Sequence, residues 1–422
     1  MAAGLIELEQ ARGLVLACAG ALSSEPVALP EALGRVLAED VHSDAAVPPF
    51  DNSAMDGFAV RSLDVSGARA ERPVLLTVVG ESRAGSPTTR VLARGEAIAI
   101  STGAVIPDGA DAVVPVERTQ RESGRVEVRA APTGRANVRF AGEDVHAGEL
   151  VLGAGSELGA AELGVLASLG RARPLCVRRP RLAVMTTGDE LVELGRPLGD
   201  GKIYNSNSYS ISALARLSGA ELVESPSQTP FSPVADDHEA TRLAIAAALE
   251  RADVLVLCGG VSVGEHDHVR GALADLEVRE RFWGVALKPG KPTLFATHGD
   301  KLVFGLPGNP ASAFVTFCLF VAPALRALSG AAQPLSRTTA TLLSDCPGSE
   351  GRADAVRCRL RLGARGWEAE PTGPQGSHLL TSMLGADALA ILPADCSGMP
   401  AGGSVEIEML PGVGTPAAGV RG

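Results

Sequence analysis

Two histidines flank an aspartate in CGGVSVGEHDHV, Cys258 to Val269. His266, Asp267 and His268 have residue types that bind metals. The segment runs into HDHVRGALADL, which has helical spacing. On a helix, residues two apart stand about 200° apart, so the two imidazoles cannot share a face. A second motif, GLPGNPASA from Gly305 to Ala313, follows a strand-like run. Gly305 and Gly308 permit close backbone approach, and Pro310 suits a first helical turn. Free amides at a helix start bind anions, phosphate above all. The motif lacks both the GK[ST] of a P-loop and GxGxxG, so it reads equally as an anion site or a capped turn. LKPGKP sets Lys288 and Lys291 around a stiff turn, able to present two ammonium groups to an anion.

Carboxylates accompany these loops. TTGDEL carries Asp189 and Glu190, as cation ligands or as caps. PPFDNSAMDGFAV places Asp51, Asn52 and Asp56 among Phe50, Met55 and Phe58, a costly mixture unless the polar groups are paired or used. Thr102, Glu117, Glu143 and Asp144 follow in later loops. Acids beside phosphate-type loops make sense where Mg²⁺ mediates between them.

The elements that must position these residues change character along the chain. The first 40 residues read as helical, until Pro48-Pro49 breaks the pattern. Short β-rich runs follow from 58 to 140, and helical spacing returns at GAAELGVLASLG, which suggests an inserted β region. From 181 the pattern is strand, loop, helix, repeated, as in a mainly parallel α/β sheet with its ligand site at the strands' carboxyl ends. NSNSYSISALARLSG opens with cap residues, and Asp236 with Glu239 has capping-box spacing. Beyond about 330 the chain is β-like again.

Totals exclude some functions. A formal net charge of −11 over 422 residues argues against a nucleic-acid surface. Seven scattered cysteines, with no CxxC, signal neither a disulfide framework nor a zinc site. The N-terminus lacks the basic start of a signal peptide. The apolar stretch 310–328 is short for a membrane span and reads as a buried helix. A cytoplasmic protein without membrane contact is expected.

Six motifs, FDNSAMDGFAV, STGAVIPDGADAVV, TTGDEL, CGGVSVGEHD, KPGKP and GLPGNPASA, occur in an order and spacing that resemble the MoeA family of molybdopterin molybdenumtransferases, along nearly the whole chain. The animal relative is the corresponding part of gephyrin. The resemblance implies a multi-domain α/β plus β fold. Its parts are a helical domain at 1–50 and 142–178, an inserted β domain at 51–141, an α/β molybdopterin-binding domain at 179–330, a terminal β domain at 331–413 and a disordered tail at 414–422. It implies a homodimer, with the inserted β domain of one subunit facing the α/β domain of the other. It also implies a reaction: molybdate and adenylylated molybdopterin give molybdenum cofactor and AMP, assisted by Mg²⁺. An adenylyltransferase would be a transient partner.

Carried over residue by residue, the resemblance implies catalytic roles for Asp56, Thr102, Asp144, Glu190, Asp267, Lys288 and Lys291, with Asp267 and Glu190 on Mg²⁺. Substrate contacts are expected from Gly259, Gly260, Ser262, Gly264, Pro292, Pro307, Gly308, Asn309, Ser312 and Ser377. GRADAVR offers Arg352 or Arg357 as an oxyanion ligand. The histidines at 266 and 268 are unmatched and read as bystanders. Gly284 stands where relatives often carry a basic residue; either Arg279 or Arg281 compensates or anion affinity is lower. The competing readings are a scaffold of the same fold and a molybdopterin adenylyltransferase.

Overall fold

The structure, a computed structural model, describes residues 4–223, 232–260, 268–332 and 337–412. The expectations for Ser262, Gly264, Glu265, His266, Asp267 and the tail at 414–422 lie outside the described residues. The chain forms two compact units. One comprises Met1–Ala38, Gly155–Gly159 and Leu175–Gly422; the other comprises Glu39–Ala154 and Ala160–Pro174.

In the first unit, strands Arg181–Thr186, Val254–Cys258 and Lys301–Leu306 run parallel. Every residue of Val254–Cys258 is buried, because both faces are covered. Val254, Val256, Phe304 and Leu306 join a core with helix Leu8–Cys18 and the helical run Pro310–Leu328. Leu255, Leu257 and Val303 join the opposite core, with helices His238–Arg251 and His268–Asp275. Truncating one such leucine to alanine costs about 2–5 kcal/mol.

Among the described residues the sheet that these strands form has six strands and is mainly parallel, as the sequence suggests, with three parallel ladders and two antiparallel ones at one edge. Leu294–His298 and Arg279–Trp283 extend it antiparallel. His298 pairs with Lys301 across the turn Gly299-Asp300, which is too short for the crossover that a parallel pair needs. The run Pro310–Leu328 is long and apolar enough to cross a membrane, but 83% of its most apolar window is buried inside the protein. One π turn, Phe317–Val321, interrupts it.

The expectation of helix through residue 40 is corrected. Among the described residues of this stretch only Leu8–Cys18 is α-helical, followed by strand Ser24–Pro26 and a 3-10 turn at Leu29–Glu31. Pro26 and Pro30 lack the amide that a continuous helix needs. Instead, Ser24–Pro26 pairs antiparallel with Leu175–Val177.

The terminal β region closes on itself. Ala353–Gly363, Gly366–Pro371, Arg337–Leu342, Ser404–Met409 and Ala388–Leu392 pair in turn, and the last returns to the first. Closure removes the exposed edges that would invite aggregation. Val356, Cys358, Leu360, Ala390 and Ile407 share its core. Strand Leu287–Lys288 adds in parallel to Ala353 and Asp354. Buried Arg12 reaches from the first helix to Glu408. Burial pushes the Glu408 carboxyl above its usual value, against the pull of Arg12 and Arg337.

The second unit holds a mixed six-stranded sheet, in the order Ala112–Pro115, Gly57–Val60, Glu96–Ile100, Val74–Ser82, Arg125–Val128, Thr119–Glu122. Period-two alternation divides its apolar residues. Phe58 and Val60 join one cluster, and Ala59 joins Ile98 and Val113 in another. Helix Ala160–Ser168 belongs to this unit.

Candidate functional site

A cavity of about 580 Å³ opens where three parallel strands end. Thr187, Gly188 and Glu190 line it after the first strand, Gly259 and Gly260 after the second, and Pro307, Gly308 and Asn309 after the third. Pro292 lines it as well. This is where the alternation of strand and helix predicts a ligand. Gly259 and Gly260 have φ of 91° and 63°. A Cβ on Gly260 would lie 2.8 Å from both Thr187 Oγ1 and Val269 Cγ2. The sequence explains these glycines by ligand space; the structure adds that the protein's own packing demands them.

Asn205 fixes the adjoining wall. It caps helix Ser206–Leu217 by accepting from the Ser208 amide, and it donates to Thr186 Oγ1 at 2.8 Å. Asn207 donates to the Gly308 carbonyl at 2.8 Å. Among the described residues its Oδ1 and the hydroxyl of Thr187 are buried without a hydrogen-bond partner. Such atoms cost roughly 1–3 kcal/mol each, which a ligand with matching groups would recover. Thr187 lies in TTGDEL, which draws notice for its acids, and Asn207 lies in NSNS, which reads only as a cap.

The acids beside this cavity divide their tasks. Asp189 and Asp236 exchange hydrogen bonds through their backbone amides, at 3.1 and 3.2 Å. Glu190 and Asp236 face the cavity. The expected capping role of Asp236 is therefore corrected: Asp237 caps the helix by accepting from the Ala240 amide at 2.8 Å. Only Asp237 directly precedes the helix that starts at His238, as a cap must.

A second cavity, of about 650 Å³, is lined by Lys288, Asp354, Arg357, Gln375 and Gly376 among others. Lys288 Nζ donates to Ser349 Oγ at 2.8 Å and lies 3.5 Å from Asp354. Arg357 is fully buried. It donates from Nε and Nη2 to Ser382 Oγ, at 3.2 and 3.0 Å, and from Nη2 to the Gly376 carbonyl at 3.1 Å. Its Nη1 has no partner among the described residues, and burial holds its pKa below the usual guanidinium value. Arg352 is only half-buried and precedes the strand that carries Arg357.

One loop joins the two cavities. Asn309, on the first, donates to Ser377 Oγ at 3.2 Å, and Gly376 holds Arg357 on the second. The Ala311 amide donates to the Ser377 carbonyl at 3.2 Å. The helix start that reads as an anion cradle thus spends this amide on the protein itself. Ser312 is buried within that helix. Lys291 is exposed, and among the described residues no ion pair involves it.

On the second unit, Asp56 Oδ1 accepts from the Thr102 amide at 2.7 Å and from Thr102 Oγ1 at 3.0 Å. The backbone bond first, and the hydroxyl second, lower the Asp56 pKa below the usual carboxylate value. Asp51 accepts from Arg135 and from the Ala141 amide, so the carboxylates of that loop are paired. Asp144 is exposed. Among the histidines, His268 meets His238 edge-on at 6.3 Å, and His238 Nε2 lies 2.8 Å from Asp275. Among the described residues no group of three or more His, Cys, Asp or Glu is placed to hold a metal.

Family models match most of the chain. The MoeA N-terminal region, domains I and II, matches 6–170; a probable molybdopterin binding domain matches 183–327; the MoeA C-terminal region, domain IV, matches 339–410. The molybdopterin molybdenumtransferase of Haemophilus influenzae is 36% identical, over 96% of this chain and 98% of its own length. That of a Nostoc species is 38% identical, over 92% and 89%. The solved structure of a molybdopterin biosynthesis MoeA protein from Pyrococcus horikoshii superposes with a TM-score of 0.80 at 31% identity, covering 96% of this chain and all of that one.

Proposed function

The chain belongs to the MoeA family, and on that premise we propose how its residues serve the reaction. It is a transferase of molybdenum cofactor biosynthesis that inserts molybdenum into molybdopterin. Molybdate is its substrate. In our reading the organic substrate is adenylylated molybdopterin, and AMP is released.

The buried guanidinium of Arg357 carries the assignment of the oxyanion site. Burying a cation costs several kcal/mol unless an anion pairs with it. Among the described residues Arg357 has only hydroxyl and carbonyl acceptors, and one nitrogen has none. A compact oxyanion supplies what is missing, and Lys288 lines the same cavity. Lys291, Ser312 and Ser377 remain candidates for the same anion. Arg357 takes the oxyanion role that the sequence leaves open between it and Arg352.

Adenylylated molybdopterin then occupies the neighbouring cavity, where Thr187 and Asn207 offer unpartnered polar atoms beside Gly259, Gly260, Pro292, Pro307, Gly308 and Asn309. Binding both substrates at adjoining sites converts an encounter into an oriented approach. No protein nucleophile is needed. Mg²⁺ fits the donor set: it takes one or two carboxylates and completes its shell with water and phosphate oxygens. Glu190 and Asp267 would hold it, Asp236 lines the cavity beside Glu190, and its chemistry is to neutralise the diphosphate. Asp56, Thr102 and Asp144 stay assigned to the same reaction by the resemblance. A homodimer and receipt of substrate from an adenylyltransferase belong to this reading, as does a cytoplasmic location.

The test incubates the purified protein with adenylylated molybdopterin, Mg²⁺ and molybdate and follows AMP. Molybdate-dependent AMP release is expected; its absence refutes the reading. Asp267→Asn should lower turnover severely, and a wild-type rate would remove Asp267 from the site.

A further inference from the structure

A third cavity, of about 230 Å³, lies in the first unit and takes in none of the residues assigned above. Arg35, Arg179, Arg216 and Arg326 line it, with Glu157 and Ser218. In a chain of net charge −11, four arginines around one small cavity are a marked local excess. Arg326 lies 3.5 Å from Glu157, and Arg35 lies 2.5 Å from Glu25. Among the described residues no ion pair involves Arg179 or Arg216.

Arginines near helix ends often serve only to offset the helix dipole. Helix Ser206–Leu217 ends here, as does the run closing with Ala322–Leu328. Each end contributes about half a negative charge, so the two offset about one of the two unmatched arginines. The terminal carbonyls have donors already. Ser218, Gly219 and Ala220 amides bond back to Leu214, Arg216 and Ala215, and Ser329, Gly330 and Ala331 amides bond back to Leu325, Ala327 and Arg326. Donors remain idle inside: among the described residues Arg35 Nε and Ser218 Oγ are buried without a partner, and Arg35 as a whole is 8% exposed.

We propose that this pocket binds a phosphate-class oxyanion, either free phosphate or the head of a phosphomonoester, at a site separate from the one that handles molybdate. Guanidinium groups converging on a cavity match the planar two-point recognition that phosphate favours. The buried hydroxyl and Nε supply donors that no group among the described residues uses.

Isothermal calorimetry with sodium phosphate tests this on the Arg357→Met protein, which lacks the cation at the proposed molybdate site. One phosphate per chain is expected. Combined Arg179→Ala and Arg216→Ala should weaken it about tenfold or more, the scale of one lost charge-assisted bond. Arg365→Ala, which removes an exposed arginine elsewhere, should leave it unchanged. Unaltered affinity in the double variant overturns the proposal, as does an equal loss in Arg365→Ala. Glycerol 3-phosphate forms a second arm: binding as tight as phosphate identifies a phosphomonoester as the occupant, and weaker binding identifies free phosphate. Circular dichroism of each variant checks folding. Ser218→Ala gives an independent reading, expected to lower affinity in an otherwise unchanged pocket.

Discussion

Arg357 Nη2 and Ser382 Oγ stand 3.0 Å apart in the protein interior, and among the described residues this neutral hydroxyl and the Gly376 carbonyl are the hydrogen-bond acceptors of the Arg357 side chain. A buried cation with so few acceptors costs stability, and in the proposed function that cost is retained for binding an oxyanion. Arg357→Met should therefore lower molybdate-dependent AMP release by about 10²–10³-fold, the scale of losing one preorganised charge stabiliser. Its melting temperature should be unchanged or higher. A variant that loses activity and melts well below wild type would mark Arg357 as structural.

Asp56 and Thr102 test the electrostatics of the second unit. Thr102→Ala removes the hydroxyl bond but keeps the stronger backbone bond. The Asp56 pKa should rise part of the way towards the ordinary carboxylate value. NMR titration of the Asp56 carboxyl carbon checks this, and an unmoved titration would rule out the hydroxyl's share.

Asp253 binds Arg178 through both oxygens, at 2.6 and 2.8 Å, and accepts the Arg181 amide at 2.8 Å. Burial alone would raise its pKa, but these bonds outweigh it and the net direction is down. A carboxyl with a depressed folded pKa contributes stability above its unfolded pKa and loses it as pH falls through the folded one. Asp253→Asn should thus destabilise by about 1–3 kcal/mol at pH 7, and the difference should shrink below about pH 4. Urea melts at both pH values measure it.

Cys258 is buried behind the glycine loop, and burial pushes its thiol up to about 12. At pH 8 it should resist iodoacetamide in the folded protein, whereas the half-buried Cys18 and Cys396 should react first. Mass spectrometry of labelled peptides reads the order. Early labelling of Cys258 would contradict the packing described.

Gly260 tests the loop itself. Gly260→Ala puts a methyl against Thr187 and Val269 at a φ that alanine disfavours. It should destabilise by about 1–3 kcal/mol and weaken the organic substrate more than molybdate, which separate binding titrations would show.

Much of this protein is written locally. The alternation around Val254–Cys258, the Asn205 cap, Pro310 opening a helix and six ordered motifs all rest on residues a few positions apart, so the chain alone determines them. Neighbouring candidates and distant contacts were not legible. Whether Asp236 or Asp237 caps depends on the residue at which the helix begins, and the loser turns to Asp189 across 47 positions. Arg357 and Arg352 are told apart only by the barrel's closure, which buries the first against Ser382 and leaves the second half-buried. The Ala311 amide is lost to Ser377, 66 residues on, and Thr187 and Asn207 matter only because packing leaves their polar atoms unmatched. Burial and unsatisfied hydrogen bonds belong to three-dimensional neighbourhoods, and no spacing along the chain reports them.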